Sequence, residues 1–175
     1  MNSSSAVTLR AATAADRALL EGLMQFYIYD FSEFARNAAD FHFNAQGAFE
    51  PYPYLNQYFS EPNCWPLLIY ADGAVAGFAL VNQHSHLTGG VIERNMGEFF
   101  VGRPFRRNGV ATAAFHKILE LHPGQWEVAV ALKNAPARNF WPRAIAAAPR
   151  VSGIEQVEGD GDHWTGPIWS FKAHP

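Results

Sequence analysis

The sequence predicts an α/β domain, a mixed sheet with helices on its faces, and three observations carry that expectation. Short apolar runs of strand character alternate with helical periodicity in the order β-α-(α)-β-β-β-α-β-α-β-β, in which strands dominate and helices interleave in the second half. The 175 residues suit one domain. At 49% hydrophobic and 17% charged residues, the chain can fill a core, which excludes disorder over most of its length.

Each element has a local cause. Val7-Thr8-Leu9-Arg10 alternates apolar and polar residues like a strand. Thr13-Ala14-Ala15-Asp16 reads as a capping box, opening a helix with Leu20, Leu23, Met24 and Tyr27 on one face. From 30 to 66 the periodicity fades, leaving scattered aromatic residues around a short helix expected at Tyr54–Phe59. Leu67–Ala71 and Ala74–Val81 flank Asp72-Gly73, a strong hairpin signal. A polar loop with His84, His86, Gly89 and Gly90 leads to a strand at Met96–Val101. A basic turn then runs into a helix at Gly109–Leu121, which Pro123-Gly124 ends. Trp126–Leu132 reads as a strand, and Pro136 suits the first turn of a helix running to about Ala147. Val151–Val157 and Trp164–Phe171 close the chain as strands around an acidic, glycine-containing turn.

Composition narrows the function. With 13 basic and 16 acidic residues, the net charge of −3 leaves no footprint for nucleic acid. The single cysteine, Cys64, excludes an internal disulfide framework and suits a reducing compartment. Met1-Asn2-Ser3-Ser4-Ser5 lacks the pattern of a signal peptide, and no apolar run approaches the ~20 residues that cross a bilayer. The expected setting is cytoplasmic, with no membrane partner.

The most informative stretch is Glu98-Phe99-Phe100-Val101-Gly102-Arg103-Pro104-Phe105-Arg106-Arg107-Asn108-Gly109-Val110-Ala111. A strand here enters a basic turn that opens a helix, so unpartnered N–H groups gather at a positive helix end, a phosphate-binding arrangement. Neither a P-loop nor a dinucleotide glycine fingerprint is present.

Arg106-Arg107-Asn108-Gly109-Val110-Ala111 resembles the acyl-CoA motif of the GNAT superfamily of N-acyltransferases: Gln or Arg, two free positions, Gly, one free position, then Gly or Ala. Phe99-Phe100-Val101 stands where that family ends its motif strand, and Asn134, Ala137, Phe140 and Trp141 match its downstream Asn-x-x-Ala-x-x-Phe-Tyr pattern up to the last position. The likeness extends in element order over nearly the whole chain, 1–175 as a single domain, apart from 30–66.

The resemblance implies a central, mostly antiparallel sheet whose motif strand splays from the next at a bulge to admit the cofactor. It further implies acetyl-CoA as co-substrate, its pantetheine arm along Phe99, Phe100 and Val101 and its pyrophosphate in the turn formed by Arg106, Arg107, Asn108, Gly109, Val110 and Ala111. Asn134 and Phe140 would contact the far end of the arm, and the N–H of Phe100 or Val101 would face the thioester carbonyl. Glu98 stands where family members place a general base. Trp141 replaces the usual tyrosine and, as an indole, offers no usable acid.

The implied activity is transfer of an acetyl group to a small-molecule or peptide amine by direct attack in a ternary complex, since no activated nucleophile is evident. The alternative is a non-catalytic acyl-CoA-binding or sensor domain. A homodimer is compatible with either. Residues 30–66 are expected to line the acceptor, and their aromatic content suits an apolar or aromatic amine rather than a polyamine.

Other residues have plainer readings beside functional ones. Glu98 can be an exposed carboxylate or a partner of Arg103. The His84/His86 pair suits a polar loop better than a metal site, for want of a third ligand. His116 reads as a satisfied helix histidine and Cys64 as a small hydrophobe. Asp160, Asp162 and His163 read as a turn, and Trp126, Trp141, Trp164 and Trp169 as core.

Overall fold

The computed structural model describes residues 5–35 and 41–175. Residues 36–40 of the expected acceptor segment, and the leading Met1–Ser4, lie outside the described residues. Seven strands form one sheet: β1 (Val7–Ala11), β2 (Trp65–Ala71), β3 (Ala74–His84), β4 (Val91–Val101), β5 (Gly124–Ala129), β6 (Val151–Glu158) and β7 (Pro167–Ala173). Their spatial order is β1-β2-β3-β4-β5-β7-β6, and every pairing is antiparallel except β4 with β5. The helices are α1 (Arg17–Ser32), α2 (Gln57–Ser60), α3 (Val110–Leu121) and α4 (Ala135–Ala146).

The helices cover both faces, which explains why β2 and β3 read as continuous apolar runs. Period two then sorts their side chains. Phe78 and Leu80 join Leu20, Met24, Leu55 and Tyr58 beneath α1 and α2. Ala79 and Val81 join Phe115, Ile118, Trp126, Trp141 and Phe171 beneath α3 and α4. Leu20 and Met24 are the buried positions of α1, while Leu23 and Tyr27 pack beside them.

Local signals act as their chemistry requires. Asp72 (φ 50°) and Gly73 (φ 80°) both take positive φ, the geometry of a tight primed hairpin turn. The N–H and hydroxyl of Thr13 both donate to Asp16 Oδ2 (2.8 and 2.9 Å), and Arg10 pairs with the same carboxylate. His116 Nε2 meets the Ala144 carbonyl at 2.9 Å, joining α3 to α4. Asp160 folds its turn by accepting the N–H groups of Asp162 and His163.

Several boundaries differ from the sequence expectation. β4 begins at Val91, because Glu93 and Arg94 interrupt the apolar signal without leaving the ladder. The β5 ladder ends at Ala129, and beyond it only Val130 and Leu132 donate to the Pro167 and Thr165 carbonyls. The short helix spans Gln57–Ser60, its first N–H turned onto Tyr54. Trp164 is half-buried and lines a cavity instead of joining the core, and Cys64 is likewise half-buried. Among the described residues, no helix is long and apolar enough to cross a membrane.

Candidate active site

The site is built where β4 parts from β5. These parallel neighbours pair only at Arg94 with Trp126 and Asn95 with Glu127, although β4 continues to Val101. Two residues later Gly97 is the extra residue of a bulge, since Met96 pairs with Val81 and Glu98 with Leu80. Glycine is required there by close approach. A Cβ on Gly97 would lie 2.6 Å from the Tyr58 hydroxyl, 2.7 Å from Asn82 Nδ2 and 3.1 Å from the Leu80 carbonyl.

Past the bulge, strand alternation decides which main-chain groups meet the gap. The Gly102 N–H donates to Ala76 on β3 (2.8 Å), whereas the Val101 carbonyl is turned away and accepts from Arg106 Nε (2.6 Å). Phe100 therefore spends its main-chain groups on β3, while Phe99 and the Val101 N–H face the gap. Of the two N–H groups suggested for the thioester carbonyl, the geometry favours Val101 over Phe100. The Phe99 ring stacks on Phe140 (centroids 6.1 Å apart) and meets Trp141 edge-on at 5.3 Å.

Beyond Val101 the chain makes a tight turn into α3. Arg107 (φ 64°) and Gly109 (φ 78°) both hold left-handed backbone, and the helix starts with no side-chain cap. Open space surrounds the Cα of Gly109. The first N–H groups of α3 thus point from an exposed, basic turn, a donor set that fits a diphosphate. Val110 can offer only its backbone, because its side chain is buried in the core with Ala114 and Ile69.

Arg106 and Arg103 both pair with Asp30 of α1, Arg103 at 2.8 Å. Burial by itself would raise the Asp30 carboxyl, but hydrogen bonds from Arg106 and Arg103 outweigh it and hold it below the usual carboxylate range. Arg103 therefore belongs to Asp30, not to Glu98. Asn134 caps α4, its Oδ1 accepting the Ala137 N–H at 3.1 Å.

Glu98 occupies the wall of a cavity of about 710 Å³ that the gap opens into. Its carboxylate accepts hydrogen bonds from the hydroxyls of Tyr27 and Tyr52, the latter at 2.7 Å. Burial raises the Glu98 pKa, and the two tyrosine hydrogen bonds only partly offset that rise. Burial, with the nearby Glu98 charge, pushes both phenols up as well, so they remain protonated donors.

A third hydroxyl, that of Tyr58, is oriented by an amide chain. Asn82 Oδ1 accepts from the His84 N–H (2.9 Å) and from Asn95 Nδ2 (3.0 Å), which obliges Asn82 Nδ2 to donate to Tyr58 (2.7 Å). The Tyr58 oxygen is therefore an acceptor toward Asn82, and its proton is free to point into the cavity. Burial raises this phenol too, against the opposing bond from Asn82.

The sequence reading missed this tyrosine set, because Tyr27, Tyr52 and Tyr58 are 71, 46 and 24 positions from their partners Glu98, Glu98 and Asn82. The available signal for Tyr52 and Tyr58 was aromatic density between 30 and 66, which named the segment and not the hydroxyls, while Tyr27 was marked only as a face residue of the first helix. His84 and His86 also line the cavity, His86 packed 4.5 Å from Trp164. Among the described residues, no group of three or more His, Cys, Asp or Glu side chains is placed to hold a metal.

A profile of the Acetyltransferase (GNAT) family matches residues 28–145. No curated protein matches the chain. Solved structures do. A GNAT-family acetyltransferase from Streptococcus agalactiae 2603 superposes with TM-score 0.64 at 14% identity, covering 97% of this chain and 96% of that one. PaiA N-acetyltransferase from Thermoplasma acidophilum, in complex with coenzyme A, gives 0.61 at 9% identity over 97% and 99% of the chains. Aminoglycoside acetyltransferase AAC(6')-Ib, in complex with coenzyme A and kanamycin, gives 0.60 at 15% identity over 97% and 95%. At these identities the likeness is one of fold.

Proposed function

Since the chain belongs to the acetyltransferase (GNAT) family, with acetyl-CoA as acetyl donor, we propose that it N-acetylates a small-molecule amine by direct attack in a ternary complex. The observation that carries this is Glu98, a recessed carboxylate at the bulge where β4 leaves β5, held by two tyrosines and facing a cavity. A carboxylate whose pKa is raised by burial is a better proton acceptor for an ammonium than an exposed one.

In this reading the chain's own groups divide the work. The α3 N-terminus with Arg107, Asn108, Gly109, Val110 and Ala111 receives the diphosphate, Val110 and Ala111 through their backbone. Arg106, spent on Asp30 and the Val101 carbonyl, braces the turn and adds positive field. The gap-facing main-chain groups of Phe99 hold the arm as an added strand would, the Val101 N–H is kept for the thioester carbonyl at its end, and Phe140 and Asn134 stand at its far side. Acetyl-CoA supplies the activated acetyl thioester.

Glu98 takes a proton from the incoming ammonium, and the Val101 N–H stabilises charge on the carbonyl oxygen. Tyr58, whose proton is free, gives it to the departing thiolate in place of the missing tyrosine at Trp141, and its oxygen takes up the second proton that the acetylated nitrogen sheds on becoming an amide, so no phenolate accumulates. From the 30–66 segment, Phe31, Phe41, Tyr52, Tyr54, Gln57 and Tyr58 form the acceptor wall. That AAC(6')-Ib is solved with coenzyme A and kanamycin supports a small-molecule amine as acceptor.

Two measurements test the reading. Acetyl-CoA at 100 times its Kd should stabilise the protein by about 2.7 kcal/mol, and Gly109→Glu should abolish the shift. Release of free CoA thiol in the presence of amines then separates an enzyme from an acyl-CoA sensor. Binding without release across the panel would favour the sensor, and no binding would defeat both.

A further inference from the structure

The walls of the acceptor cavity carry a charge inventory that limits what fits. Among the described lining residues Glu98 is the one carboxylate, and there is no lysine or arginine. Arg103 and Arg106, in the turn after β4, are committed to Asp30, and Lys133, next to the lining Asn134, donates to the Phe34 carbonyl at 3.4 Å. The His86 imidazole, pushed down to about 4 by burial with His84 adding, contributes no cation at neutral pH.

The rest of the lining is mostly rings and aliphatic groups. Tyr27, Phe31, Phe41 and Tyr54 come from the α1 side, and Trp141 and Trp164 from the opposite side. Tyr27 and Phe31 pack at 4.8 Å, and Tyr52 and Tyr54 meet edge-on at 5.7 Å, two ring pairs that converge on the Glu98 carboxylate through the Tyr27 and Tyr52 hydroxyls. Such a surface favours a planar apolar body and tolerates one ammonium over its faces.

Resting on the N-acetyltransferase reading above, we propose that the acceptor is a primary arylalkyl monoamine: one ammonium against Glu98, an aromatic body against the ring wall, and no carboxylate. Each excluded class fails for a stated reason. A polyamine or aminoglycoside brings further ammonium groups that find no second carboxylate among the described lining residues and lose their hydration. An amino acid brings a carboxylate that finds no lysine or arginine among the described lining residues and lies in the same cavity as Glu98.

The probes are 2-phenylethylamine and tryptamine against phenylalanine, spermidine and kanamycin, each assayed by CoA thiol release from acetyl-CoA. The two arylalkyl monoamines should exceed the other three in kcat/KM by about tenfold or more, the effect of one unpaired charge. Gln57→Glu adds a second carboxylate to the lining at nearly constant shape and should move relative kcat/KM toward spermidine by about fivefold. If spermidine, kanamycin or phenylalanine leads, or if Gln57→Glu leaves the ratio of kcat/KM for spermidine to that for 2-phenylethylamine unchanged, this proposal falls while the acetyltransferase reading stands. If no amine is acetylated although acetyl-CoA binds, both fall together.

Discussion

Gly97→Ala tests whether the bulge sets the position of the Tyr58 hydroxyl. The added methyl would lie 2.6 Å from that hydroxyl, 2.7 Å from Asn82 Nδ2 and 3.1 Å from the Leu80 carbonyl, all well inside ordinary contact. The first two atoms form one 2.7 Å hydrogen bond, and the third is main chain of the paired strand. The methyl can therefore be relieved by breaking that bond, at about 1 kcal/mol net, together with overpacking strain of about 1–3 kcal/mol. The total of about 2–4 kcal/mol corresponds to roughly 6–12 °C in Tm, at about 3 °C per kcal/mol for a chain of this size. Thermal unfolding measures it, with Gly22→Ala as control. Gly22 lies in α1 with nothing within 4 Å of the added Cβ, so that change should stabilise by about 0.5–1 kcal/mol. Turnover of Gly97→Ala should fall as Tyr58 is displaced. Wild-type melting and wild-type turnover together would refute the argument that Gly97 fixes Tyr58.

Three further substitutions probe other parts of the site. Glu98→Gln should lower turnover by about 10²-fold or more with acetyl-CoA affinity intact. Because burial raises the folded pKa of Glu98 above its unfolded value, the contribution of this group is present at low pH and lost as pH rises through the folded value. Glu98→Gln should thus be the more stable protein at neutral pH and converge with wild type below about pH 4, by melting across a pH series. Tyr58→Phe leaves Asn82 Nδ2 without its acceptor and removes the free proton; kcat should drop about tenfold or more while KM for acetyl-CoA holds. Asp30→Asn frees Arg103 and Arg106, so acetyl-CoA should bind more tightly at low salt, a gain that disappears near 1 M salt. The depressed Asp30 carboxyl contributes stability above its unfolded pKa that is lost as pH falls through the folded value, and calorimetry of the pair at acid pH reads that loss.

The parts of the site that are contiguous were readable in the sequence. Arg106 to Ala111 is a single turn whose basic residues and glycine stand within six neighbouring positions, and the left-handed backbone at Arg107 and Gly109 is what the structure adds. Glu98 was readable for the same reason, being on the strand that feeds the turn. Tyr27, Tyr52 and Tyr58 were not, because each is brought to the cavity by a different element and none follows a period that separates a core ring from a hydroxyl donor. Strand limits failed where charge and burial diverge. Val91–Asn95 holds its place through backbone pairing to β3 although Glu93 and Arg94 break the apolar pattern. Gly97 carries no local mark of its bulge, since the atoms that exclude a side chain come from α2 and β3.

The two-rung contact between β4 and β5 has a consequence for motion. With pairing at Arg94–Trp126 and Asn95–Glu127 only, the sheet is two antiparallel leaves, β1 to β4 and β5 to β6, joined along a short seam. Amide hydrogen exchange should reflect that seam: the interior of each leaf protected as a unit, the Phe99 and Val101 amides exchanging early, and both slowed once acetyl-CoA bridges the leaves. The donor would then act as a third rung, tying the leaves together during turnover and leaving them freer to part when CoA departs.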